Sequence, residues 1–159
     1  MMDGAVFTAR EDKIEYIKFR GTVRYSHCSG LEAHIEKLFG DKSFEKIIID
    51  LNEAEILDST ALGLLARIAI RLKEFTEEKA TIFIRCGELS NILERVCFDR
   101  VFNIVTDKSY EHKGELHHLI GESKDESQIL QSVIEANKNL AAIDSQSDKF
   151  YRDITDALS

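Results

Sequence analysis

The chain has 159 residues, 43% of them hydrophobic, and its 29 acidic against 21 basic side chains give a formal charge of −8. That length suits one domain of ordinary size with a single core. The acidic balance argues against a sequence-independent grip on nucleic acid and leaves a protein or a small ligand as the partner.

No stretch approaches the roughly 20 continuous apolar residues of a membrane-spanning helix, because Arg67 and Arg71 interrupt the most hydrophobic region. Cys28, Cys86 and Cys97 are an odd set without zinc-ribbon or C-x-x-C spacing, and no secretory signal is apparent. They read as reduced, mostly buried thiols of a soluble, cytoplasmic protein. Proline is absent and the eight glycines are dispersed, so no flexible linker marks a boundary.

In chain order, Ala5 to Arg10 and Ile14 to Phe19 are β-rich runs around the charged turn Glu11-Asp12-Lys13, which predicts a hairpin. Leu31, Ile35, Leu38 and Phe39 recur at helical spacing and Gly40 stands where a helix would end. Lys46 to Leu51 is a nearly unbroken apolar run, as expected of a central strand, and a short polar loop should follow. Ser59 to Phe75 is an amphipathic helix over Leu62, Leu65, Ala66, Ala69 and Leu72. Gly63, which lowers helix stability by about 1 kcal/mol relative to alanine, suggests that a neighbouring element or a partner approaches the backbone there. Thr81 to Cys86, Glu88 to Val96 and Val101 to Val105 add a strand, a short helix and a last strand. The order ββαβαβαβ predicts an α/β fold, a mixed sheet with helices packed against it.

Residues 107–122 read as a polar connector after a domain of residues 1–106. Residues 123–159 form an amphipathic helical extension. Ser123 and Glu126 have capping-box spacing, Ile129 to Ile143 follow at helical intervals, and a second piece, Phe150 to Leu158, comes after a break at Asp144 to Ser147. The extension is expected to cover the sheet or another helix of its own domain, the alternative being an arm that binds a partner or a second copy.

Asp58-Ser59-Thr60 gathers a carboxylate and two hydroxyls where loop becomes helix. A serine there faces backbone amides with no intrahelical partner and the positive end of the helix dipole, which favour a phosphate. The same residues also serve a plain N-cap, worth roughly 0.5 to 2 kcal/mol, and on the residues alone both readings stay open. Nothing here suggests an enzyme. Leu57 to Ala61 lacks both glycines of a nucleophile elbow, and there is no Walker A or G-x-G-x-x-G sequence, so no catalytic residue and no cofactor is expected. His27-Cys28 and His117-His118 lack structural zinc spacing, so no metal is expected either.

Asp50-Leu51, followed by Ile56-Leu57-Asp58-Ser59-Thr60-Ala61-Leu62-Gly63-Leu64-Leu65, resembles the signature of the STAS domain in bacterial anti-sigma factor antagonists. The resemblance runs from about Ala5 to Val105, with Phe98-Asp99-Arg100-Val101-Phe102 similar to the family's closing segment. Arg24 to Leu38 and the tail are similar to gammaproteobacterial antagonists of partner-switching systems for the general stress sigma factor. This resemblance implies a STAS-like mixed sheet and a phosphorylation site at Ser59, with Asp58, Ser59, Thr60 and Gly63 as the partner-binding surface. It also implies an anti-sigma factor, often itself a serine kinase, as the partner of the unphosphorylated form, and a metal-dependent serine phosphatase to restore that form. Ala61 departs from the pattern, which has glycine there. The alternative is an unmodified STAS-like small-ligand or scaffold domain.

Overall fold

The computed structural model describes residues 3–107, 109–121 and 124–147, the last four as backbone only. Strands β1 (Ala5–Glu11) and β2 (Ile14–Val23) form the expected antiparallel hairpin. Asp12 and Lys13 both take positive φ, 49° and 65°, so the turn twists in the sense the two strands require. Helix α1 (Ser29–Asp41) leads to β3 (Lys46–Leu57), α2 (Ser59–Lys73) to β4 (Thr81–Phe83), and α3 (Glu88–Arg95) to β5 (Asn103–Val105). β3, β4 and β5 are parallel to β2, and the sheet runs β5-β4-β3-β2-β1-β6.

The core is built by alternation. Ile17, Ile49 and Ile82 stand side by side across three strands, Val6 and Phe19 pair beside them, and all five are fully buried. Leu31 and Ile35 of α1, Leu64, Leu65 and Ile68 of α2, and Leu93 of α3 belong to the same cluster. The opposite face carries Phe7, Lys18, Asp50 and Phe83 in one register, with Tyr16 on the same face two residues before Lys18.

Four sequence expectations are corrected. α1 passes through Gly40 to Asp41, and Lys42 takes the left-handed conformation (φ 51°) that ends it, its amide donating to the Leu38 carbonyl. β3 does not stop at Leu51, because Glu53 to Leu57 keep pairing with Arg20 to Val23 and their polar side chains face outward. Residues 107–121 contribute to the sheet. His117–His118 forms β6 against Phe7 and Thr8, Tyr110 stacks on Phe83 at 3.9 Å, and His112 stacks on Tyr16 at 4.5 Å. Helix α4 (Glu126–Ser147) runs on through the anticipated break, and its first turn is capped reciprocally by Asp125 and Gln128. Ser123 and the piece Phe150 to Leu158 lie outside the described residues.

Candidate functional site

The turn between β3 and α2 is fixed by one carboxylate. Asp58 is extended (φ −78°, ψ 178°), and its Oδ1 accepts from the Ala61 amide at 2.9 Å as the N-cap of α2. Its Oδ2 accepts from the Tyr25 amide at 2.8 Å, and its own amide donates to the Val23 carbonyl at 3.1 Å. Tyr25 opens a short 3-10 turn, Tyr25–His27, between β2 and α1. One side chain thus ties the helix start to the segment leaving the neighbouring strand.

Ser59 follows as the first helical residue and is exposed, whereas Thr60 is 2% exposed. Helical geometry explains the contrast, because successive residues point about 100° apart and α2 turns Thr60 and Ala61 inward. Tyr25 and Ile56, in the two segments that lead into the turn, are 47% and 50% exposed. A group attached to Ser59 would project into solvent beside the first-turn amides.

Gly63 lies one turn further along the same face of α2 and is covered by α4. A β-carbon placed there would overlap the Cα and Cβ of Ala136 and lie 2.7 Å from its carbonyl oxygen. The two helices cross backbone to backbone, and Arg67 of α2 pairs with Glu135 of α4 at 2.8 Å. The structure therefore brings Asp58, Ser59 and Thr60 together at the turn, while Gly63 is beneath the C-terminal helix.

Away from the turn, midway along β3, Asp50 is buried at 2% exposure on the other face of the sheet. The Tyr16 hydroxyl donates to its Oδ2 at 2.6 Å and the Asn52 amide to its Oδ1 at 2.9 Å. Burial first, then the hydrogen bond to Asp50, raises the Tyr16 phenol well above its ordinary pKa. Cys28, in the turn before α1, is pushed up to about 12 by burial and then by the carboxylates of Asp58 and Glu32, against a smaller opposing effect of Lys124. Tyr25 and Ala136 are the neighbours sequence reading missed, since both reach the site through tertiary contact. The glycine in the first turns of α2 was the one local signal of the second.

Among the described residues no three His, Cys, Asp or Glu side chains gather as a metal site requires. No described helix is long and apolar enough to cross a membrane.

A family model described as the STAS domain matches residues 8–108. The chain belongs to the STAS domain family. Its STAS unit comprises the second half of β1 together with the elements through β5, the Asp58-Ser59-Thr60 turn among them, and β6 and α4 fall beyond it. No curated protein sequence matches the chain. A crystal structure of an anti-sigma factor antagonist from Mycobacterium paratuberculosis is similar over 83% of this chain and 95% of that one, with 16% identity and a TM-score of 0.52. At that identity the likeness is one of STAS fold.

Proposed function

We propose that this STAS protein is a cytoplasmic, non-enzymatic anti-sigma factor antagonist switched by phosphorylation of Ser59. The observation that carries the reading is the division of labour at the turn. Asp58 is committed to backbone amides and Thr60 is buried, so Ser59 is the exposed hydroxyl at the head of α2. The likeness to an anti-sigma factor antagonist of the same fold supports it.

In this reading the unphosphorylated chain binds an anti-sigma factor through Asp58, Ser59, Thr60, Gly63 and the apolar side chains beside them, and so frees a sigma factor. A serine kinase, which can be the anti-sigma factor itself, adds a phosphoryl group, and a metal-dependent serine phosphatase removes it. Phosphorylation brings about −1.5 to −2 charges and three acceptor oxygens to a surface shaped for a neutral hydroxyl. The helix N-terminus tolerates that charge within the fold. The partner meets it as repulsion and as the cost of desolvating the phosphate. The switch is therefore local.

Two measurements test this. Incubation with the anti-sigma kinase and ATP should add the mass of one phosphoryl group to the chain and none to Ser59→Ala. Ser59→Ala should hold the anti-sigma factor constitutively and Ser59→Asp should bind at least about tenfold more weakly, a difference of roughly 1.4 kcal/mol. Unchanged affinity in both variants together with an unmodified chain would leave the unmodified scaffold or ligand domain as the better reading.

A further inference from the structure

Ser59, Gly63, Ala66, Arg67 and Ile70 form one stripe along α2, at spacings that share a helix face. Ser59 is at its exposed end. One turn later α4 lies on the stripe, with Ala136 against Gly63 and Glu135 paired to Arg67. α4 also touches the Tyr25–His27 turn, so it borders both segments that frame Ser59. A protein reaching Gly63 must first move α4.

The way α4 is held suits such a movement. It lies outside the residues that match the STAS domain. Its inward stripe is Ile129, Ser132, Val133, Ala136, Leu140 and Ile143, of which only Ala136 and Ile143 are fully buried. Leu130 and Ile134, at 60% and 39% exposure, stay on an outer face. Its N-terminal end is held to α1 by Lys124, which bridges Glu32 and the Ser132 hydroxyl, each at 2.6 Å. Ala136 and Ile143 anchor the seam, Leu140 packs beside them, and the ion pairs of Glu135 and Lys124 close it at the surface, so α4 is an added helix that can open as a unit separate from the sheet.

We propose that α4 is a built-in competitor, a displaceable cover that occupies the α2 face the anti-sigma factor requires. This rests on the functional reading above and adds a second control to it. The closed chain is binding-incompetent at Gly63, and apparent affinity is the intrinsic affinity reduced by the open fraction. Phosphorylation then sets whether the partner tolerates Ser59, and α4 sets how much of the surface it can reach.

Hydrogen exchange of the full chain, read by mass spectrometry in buffer and in low urea, tests the cover without any partner. Peptides from α4 should exchange at least about tenfold faster than those from β2 and β3. Ala136→Gln, which cannot fit over Gly63, and Lys124→Ala, which releases the fastener at the other end, should each widen that gap with the sheet still protected. Exchange of α4 and the sheet in one common event overturns the proposal.

In a second arm, the affinity of a purified anti-sigma factor from the same genome should rise about tenfold for both full-length variants, as the competent fraction grows. Equal or weaker binding by variants whose α4 exchanges faster overturns the competition. Failure of the wild-type chain, of Ser59→Ala and of both α4 variants to bind such a factor overturns the functional reading and the competition with it, while the exchange arm still decides separately whether α4 opens.

Discussion

Asp58 joins segments distant in sequence, which makes it the residue whose loss should be felt furthest from the helix it caps. Removing a cap costs about 0.5 to 2 kcal/mol, and hydrogen bonds to a charged acceptor contribute about 1.5 to 3 kcal/mol. Asp58→Ala loses both acceptors and should lower unfolding stability by about 2 kcal/mol, measured as a shift in urea midpoint at constant slope. Asp58→Asn keeps one acceptor oxygen and should lose less. Ser59, by contrast, is free to change: Ser59→Ala should melt like the parent chain. Thr60 is out of reach of a kinase in the folded chain, so phosphopeptides that span the turn after native phosphorylation should carry the group on Ser59 and not on Thr60. The capping chemistry of this triplet was legible in the sequence because it is local, a carboxylate followed three residues later by the amide it accepts from. The Tyr25 contact was not, because the same carboxylate's second oxygen reaches 33 residues back along the chain.

Between elements, the informative contact is the crossing of α2 and α4. In an isolated helix Gly63→Ala should help by about 1 kcal/mol. Here the added methyl meets the backbone of Ala136, and overpacking typically costs 1 to 3 kcal/mol, so the variant should melt lower or release α4. Circular dichroism melts with hydrogen exchange of the α4 peptides distinguish these two outcomes. The sequence marked Gly63 as a point of close approach and predicted that the tail would cover an element of its own domain, but periodicity carries no information about which faces meet. β3 was underestimated for a related reason. Asn52, Glu53 and Glu55 looked like a loop because they are polar, yet a strand with one solvent-facing side accepts polar residues, and its pairing with β2 is long-range. The polar connector concealed Tyr110 and His112, whose stacking on Phe83 and Tyr16 has no local periodic signal.

For the whole molecule, buried neutral groups set the alkaline limit of stability. Burial raises the Cys28 thiol from its ordinary 9.0 to about 12, and Tyr16 and Tyr110 are raised too, burial being the first cause in each. Groups whose folded pKa lies above the unfolded value contribute stability that is intact below the unfolded pKa and lost as pH rises toward the folded one. Stability should therefore be flat near neutrality and decline from about pH 9 upward, with a lower urea midpoint at pH 10 than at pH 7 and a shallower decline in Cys28→Ala. The same burial predicts that N-ethylmaleimide labels the native chain at exposed Cys86 well before buried Cys28 and Cys97. The order of the sheet has a bearing on handling at high concentration. It ends on one side in the three-residue β5 and on the other in the two-residue β6, a pair of histidines. Strands this short offer few backbone groups for another chain to pair with, but β6 covers only Phe7 and Thr8 of β1 and β4 only Ile48 to Asp50 of β3, so the uncovered stretches of β1 and β3 are where edge-to-edge pairing between molecules would begin.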